Sequence, residues 1–488
     1  MQTQLSAFAC ALSLSAGLAA GTGCATNPAT GKKEFSLMSE EQEIATGRQL
    51  DAEVQRQMGP YNDAELQRYV SDLGMRLARV SPRPNLPWKF TVVNQPAVNA
   101  FALPGGFIYI TRGILPFLDD EAELAGVLGH EIAHVTARHS AQQYTKATSA
   151  GIGVTLLSIF VPEARPFQGL TETALGALFL KYGRDAENQA DEFGAQYSAK
   201  AGWDPRGVAG MLTTLARLDE ASGSRKGVPN WLSTHPAPAD RVEHVQQIVQ
   251  KIGASPTAGS GERDRAGFLR RVDGVIYGDS PEEGIVRGNE FLHADLRFAL
   301  TFPRGWDVQN SPQQVVAKAP DADAYVLLQL VAQPQGSIEQ IAVRGMQNAG
   351  FRAVDGNRTQ VNGLDAFVGT YQGNMQGLGS SLVRAAHVVH EKRVYLVAGI
   401  APRQLFPRAE DDLNRAVGSF RPLSRQEAAG IQPNRVDLYT VREGDTWPSI
   451  ASRASSGTIK PSTLAIMNHY EPGQAPPPGA RIKIVVAG

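Results

Sequence analysis

The sequence predicts a multidomain chain: a mainly α-helical first domain, an α+β middle domain and a small βααβ unit at the C-terminal end. Three observations predict it. With 488 residues and roughly 150 per domain, the chain has room for about three cores. Capping patterns and helical spacing dominate residues 39–201, whereas strand-like runs dominate about 285–422. Between them lies a small, polar stretch, 254–265 (ASPTAGSGERDR), which suits a linker. The balance of 47 Lys+Arg against 48 Asp+Glu removes any case for nucleic acid held by bulk positive charge.

The N-terminal end comes first. Residues 6–20 are uncharged but too short to span a bilayer comfortably. With the small residues that follow, they read as a secretory signal over 1–23. Cys24, after Thr22-Gly23, resembles a bacterial lipoprotein processing site, which implies a lipid on Cys24. By the same resemblance Ala25 favours the outer membrane. Both cysteines lie in the first 24 residues, so no disulfide is expected in the body of the protein. No later run reaches 18 apolar residues, so no transmembrane helix is expected.

Ser39-Glu40-Glu41-Gln42 and Asn62-Asp63-Ala64-Glu65 are capping-box patterns ahead of helices. In the second helix Val70, Leu73, Leu77 and Val80 keep helical spacing, and Pro82, Pro84 and Pro87 end it. Residues 88–93 and 107–111 read as strands, with Pro104-Gly105-Gly106 turning into the second. A long helix is expected from about Asp120 to Gln143, and another over about 171–201. The apolar segment 151–161 between them fits a lid, a membrane- or client-facing surface, or a buried core helix. In the middle domain, strands are expected at 296–302, 325–332, 365–371 and 393–399, with helices at 336–349 and 403–418. A strand at 481–486 closes the chain.

The chemistry sits in His130-Glu131-Ile132-Ala133-His134. Leu124, Val127, Leu128 and Ile132 give the segment helical apolar spacing. At i and i+4 the two imidazoles lie one turn apart on one face, close enough to share one Zn²⁺. Glu131 then stands beside the metal, where a carboxylate can take a proton from water. The motif alone also fits a surface helix with two unrelated histidines. The third ligand discriminates. A metzincin needs Gly and His three and six positions after His134, where this chain has Ala137 and Ser140. His139 is one residue off that place and reads as structural. Glu187 and Asp191, at i and i+4 on a later helix, offer the alternative. Glu187 would complete a His₂Glu site, and Asp191 could accept a hydrogen bond from a ligand histidine. Taken alone, that pair is equally a solvated helix face.

Residues 24–245 resemble peptidase family M48, particularly its periplasmic, lipoprotein-like bacterial members. The matching pieces are Asn99–Gly106, the HEIAH helix with Arg138-His139, Glu187–Asp191, and Ser233-Thr234-His235-Pro236. The resemblance implies a gluzincin-type domain that hydrolyses peptide bonds, with one zinc on His130, His134 and Glu187, Glu131 as base, and Asp191 behind the ligands. The strand at 107–111 is expected at a sheet edge beside the cleft, holding substrate as an added strand. His235 has two competing roles: donor to the oxyanion, or a ligand closing the fourth zinc position at rest. A plain loop histidine before proline is the third reading.

Residues 438–486 resemble a LysM module, with Leu438–Trp447, Ile450-Ala451, Leu464 with Asn468, and Pro478–Ile482 carrying the match. That resemblance implies possible peptidoglycan contact through 437–488. The expected domains are therefore a signal at 1–23, a peptidase domain at 24–252, a linker at 253–284, an α+β domain at 285–422, a linker at 423–436, and the LysM-like unit at 437–488. The expected function is a zinc endopeptidase of the periplasm, anchored at the outer membrane, that cleaves misfolded or unassembled envelope proteins. The alternative is a chaperone-like or scaffolding envelope protein whose zinc site stays closed.

Overall fold

The computed structural model describes residues 24–149, 182–222, 231, 235, 238–253, 263–311, 314–375, 377–455 and 458–488. The expected signal at 1–23, the apolar segment 151–161, the start of the helix expected from 171, and Ser233, Thr234 and Pro236 lie outside them.

The described residues begin with a two-stranded hairpin, β1 (Cys24–Thr26) and β2 (Lys33–Phe35), followed by α1 (Glu40–Gln57) and α2 (Ala64–Val80). Ser39 and Gln42 form the expected capping box. The second cap differs: Asp63 alone accepts from the backbone of Glu65 and Leu66. Next come β3 (Lys89–Val93), β4 (Ala100–Leu103) and β5 (Phe107–Thr111). They form a sheet in the order β3-β5-β4, parallel between β3 and β5 and antiparallel between β4 and β5. The strand expected at an edge, 107–111, is therefore central. All five of its residues are buried, as its FIYIT composition favours on a strand covered on both faces. The edge strands are β3 and β4.

The long helix expected over 120–143 is two helices, α3 (Glu121–Thr136) and α4 (His139–Ser149). They are broken at Arg138, whose φ of 58° lies in the left-handed region. Among the described residues α5 (Arg184–Lys200), α6 (Arg206–Ser222) and α7 (Pro238–Gly253) follow. The stretch expected as the first linker carries α8 (Arg265–Val272), whose Phe268, Leu269 and Val272 join the first domain's core. Those apolar residues pack α8 against the first domain.

In the middle domain β6 (Ile285–Arg287), β7 (Glu290–His293) and β8 (Phe298–Thr301) form a sheet completed by β16 (Arg421–Pro422), in the order β16-β8-β7-β6. A second, fully antiparallel sheet is built from β9 (Asp307–Asn310), β10 (Gln314–Lys318), β11 (Tyr325–Leu330), β12 (Phe351–Val361), β13 (Leu364–Met375), β14 (Gly379–His390) and β15 (Arg393–Pro402). Its order is β12-β13-β14-β15-β11-β10-β9. Helices α9 (Ile338–Asn348) and α10 (Phe406–Val417) cover its opposite faces. The expected second linker also packs: Leu423, Ala428 and Ile431, around α11 (Arg425–Ala429), share a core with Ile285 and Leu292.

The chain ends as β17 (Arg435–Thr440), α12 (Trp447–Ala454), α13 (Pro461–Met467) and β18 (Arg481–Val486), with β17 and β18 paired antiparallel. This unit docks on the first domain. Its core includes Phe117 and is flanked by Leu218 and Tyr277. Lys483, fully buried, donates to the carbonyl of Leu118. His469 lies 3.3 Å from Glu123, in the first turn of α3.

Candidate metal centre

α3 is buried on every side from Ala122 to Thr136, with Glu123, His130, Glu131 and His134 among its apolar residues. Glycines let its neighbours approach closely. A Cβ on Gly194 of α5 would lie 2.9 Å from the His130 nitrogen, and one on Gly207 of α6 only 2.2 Å from the Ala122 carbonyl. The far end of α3 is tied down. Arg83 donates to the Val135 carbonyl at 2.9 Å, and Asn27 to that of Ala137 at 2.8 Å. Buried Glu43 pairs with both Arg83 and Arg138.

On this scaffold His130, His134, Glu187 and His235 bring one ligand atom each to within 4.8 Å of one another, all four buried. His130 Nε2 is 3.0 Å from His134 Nε2 and 3.2 Å from His235 Nδ1. The Glu187 carboxylate is 3.6 Å from each of the first two and 3.0 Å from His235 Nδ1. Zn–N bonds of 2.0–2.1 Å in a tetrahedron separate ligand atoms by about 3.3 Å. The four donors therefore fit one zinc ion in spacing and in type.

The surroundings orient the donors. Asp191 Oδ1 is 2.9 Å from His130 Nδ1, fixing the ring so that Nε2 faces the cluster. Arg241, on the first turn of α7, grips Asp191 through two bonds of 2.7 Å and reaches Glu187 at 2.8 Å. The same guanidinium donates to the His235 carbonyl at 3.3 Å and lies 4.8 Å over the Trp231 ring. Trp231 stacks on His235 with centroids 4.5 Å apart, and Tyr182 stacks on His134 at 3.9 Å. Glu131 is different. Both of its oxygens are buried without a hydrogen-bond partner, and the nearer histidine nitrogen, His235 Nε2, is 3.6 Å away.

Charge follows from this packing. Burial pushes the Glu131 carboxyl above its ordinary range. Burial also opposes ionisation of Asp191, but Arg241 outweighs it and holds that carboxyl down at about 2. Burial would lower the His235 imidazolium, yet the adjoining Glu187 carboxylate raises it. Burial and the neighbouring imidazoles drive His134 well down, towards its neutral, metal-binding form.

The structure thus brings together the six residues singled out in the sequence: His130, Glu131, His134, Glu187, Asp191 and His235. Sequence reasoning missed Arg241, Trp231 and Tyr182, which carry no local spacing signal. His139, read from the sequence as structural, is not among the four donors, and its Nδ1 lies 2.9 Å from His134 Nδ1.

The sequence profile of peptidase family M48 matches residues 64–249. The chain is 28% identical over 365 residues to the beta-barrel assembly-enhancing protease of Yersinia pestis, across 70% of this chain and 73% of that protein. It is 32% identical over 236 residues to the Escherichia coli (strain K12) protein of that name, across 46% of this chain and 48% of that one. The mitochondrial metalloendopeptidase OMA1 of Schizosaccharomyces pombe is 34% identical over 182 residues, across 37% of this chain and 52% of that protein. The chain thus spans about half the length of the last two relatives.

Proposed function

Since residues 64–249 form a metallopeptidase domain of family M48, we propose that this chain is a zinc endopeptidase of the bacterial envelope that cleaves unfolded or unassembled envelope proteins. The observation that carries the reading is the convergence of four donor atoms beside Glu131, a buried carboxylate with no partner of its own. A structural zinc has no use for that carboxylate. A hydrolase does.

In this reading His130, His134 and Glu187 hold zinc, which supplies Lewis acidity to a carbonyl and to water. Glu131 takes the proton from the attacking water and delivers it to the leaving amine nitrogen. Burial raises the Glu131 pKa above the ordinary carboxylate range. Asp191 keeps His130 Nδ1 protonated and Nε2 free to bind. Arg241 holds Glu187 and Asp191 in register across α5. An edge strand of this sheet such as β4, rather than the central strand β5, would receive an extended substrate backbone, which would make sequence selectivity loose. His235 Nδ1 occupies the fourth corner of the donor set and closes the site at rest. That closure also supports the second reading, a chaperone-like or scaffolding protein with a mostly closed site.

Lipid attachment at Cys24 would place the chain at the outer membrane, and the C-terminal βααβ unit, as a LysM-like module, would touch peptidoglycan. Among the described residues no helix is long and apolar enough to cross a membrane. The deciding experiment is digestion of casein with and without a zinc chelator, followed by zinc re-addition. Chelator-sensitive, zinc-restored cleavage is expected. Stoichiometric zinc with no cleavage of any unfolded substrate, in wild type and His235→Ala alike, would favour the scaffolding reading.

A further inference from the structure

The two imidazoles of the HEIAH helix are oriented by different means. His130 has a carboxylate behind it, Asp191. His134 has another imidazole: His139 Nδ1 lies 2.9 Å from His134 Nδ1, and His139 Nε2 lies 3.3 Å from Gln189 Oε1. His139 is buried. We infer that His139 and Gln189 form a neutral hydrogen-bond relay that sets the tautomer of His134, making His139 a positioning residue for the metal.

Proton counting dictates the direction. A neutral imidazole carries one N–H. Nε2 of His134 faces the other donors and must present a lone pair to bind zinc, so its proton sits on Nδ1. Nδ1–H then donates to His139 Nδ1, which must be bare. The His139 proton is therefore on Nε2 and donates to Gln189 Oε1, a carbonyl that only accepts. The reverse polarity would put a proton on His134 Nε2 and block the metal.

The backbone supports the assignment. In a continuous helix a residue five positions on lies about 140° around the axis and could not face its predecessor. The break at Arg138, with φ of 58°, turns His139 back towards His134. A left-handed non-glycine residue carries strain, and here Glu43 and the Met38 carbonyl hold the Arg138 side chain. Along α5, residues 187, 189 and 191 then each serve the site: Glu187 as donor, Gln189 through His139, Asp191 through His130.

The inference rests on His134 being a zinc ligand, and the test separates the two. Zinc affinity is measured by chelator competition, and the visible spectrum of the cobalt-substituted protein is recorded. For His139→Leu a loss of about 10–100-fold in zinc affinity and an altered cobalt spectrum are expected. His139→Asn, whose carbonyl can replace the bare nitrogen, should restore both. Melting of the zinc-free proteins should be alike. Gln189→Leu should weaken zinc binding and Gln189→Glu retain it, and this pair decides if His139→Leu does not fold. Wild-type affinity in both leucine variants, or no rescue by asparagine, would overturn the relay. Failure of the wild type itself to bind zinc would instead overturn the underlying metal-site reading.

Discussion

At the scale of single residues, the site separates groups that bind from the group proposed to react. Glu131→Gln keeps the donors and removes only the base, so zinc content should equal wild type while proteolysis falls by about 10²–10⁴-fold; metal analysis beside a casein assay checks it. Arg241→Met is expected to do something else. It strips two buried carboxylates, Asp191 and Glu187, of their cation, at a cost of about 3–5 kcal/mol, read as a drop in chemical-denaturation stability of the zinc-free protein. For His235→Ala, a histidine that closes the site at rest predicts a higher basal rate, and an oxyanion donor predicts a loss of about 10²–10³ in kcat. Comparison at equal zinc occupancy distinguishes them by sign. His130, Glu131 and His134 were legible because i, i+4 spacing is one helical turn. Arg241 was not, because its carboxylate partners lie on another helix far back in the chain. Nothing in a sequence window reports such a contact.

At the scale of elements, the close crossing of α3 and α5 makes one glycine a sharp test. In Gly194→Ala the new methyl meets His130 backbone at 2.9 Å, so the helices must separate. A stability loss of about 1–3 kcal/mol is expected, together with reduced zinc retention, because both helices carry donors. Unchanged melting and zinc content would show that the crossing has slack. Helix periodicity predicted α1, α2 and α3 well, yet ran α3 on through Arg138. Local preference there is helical, and tertiary contacts, those of Arg138 with Glu43 and the Met38 carbonyl and of His139 with His134, favour the break. Period-2 alternation likewise identified part of β13 but missed β12, exposed from Arg352 to Gln360, which has no apolar face to announce it. The expected linkers packed because a few apolar residues, such as Phe268 and Ile431, found cores their neighbours could not reveal.

At the scale of the whole molecule, the C-terminal unit and the metal helix share a buried polar seam. His469 faces Glu123, Lys483, Asp119, Arg217 and Thr214. Burial, aided by Lys483, lowers its imidazolium to about 4, from 6.5 in the unfolded chain. Burial likewise pushes the Glu123 carboxyl well above its usual range. The unfolded chain therefore takes up the His469 proton first. The stabilising effect is complete above pH 6.5 and is lost as pH falls towards 4. His469→Gln should flatten that part of the stability–pH curve, and identical curves would remove His469 as its source.

The glycine crossing has one more consequence, in time. With backbones in close approach at Gly194, packing holds the donors on α3 and α5 together. His235, which belongs to neither helix, is the group left to yield. If its departure must precede each cleavage, the enzyme keeps time by that departure rather than by bond breaking. Motions that uncover a site typically take microseconds to milliseconds and commonly limit turnover. Observed rates should then vary little with the leaving amine and strongly with solvent viscosity.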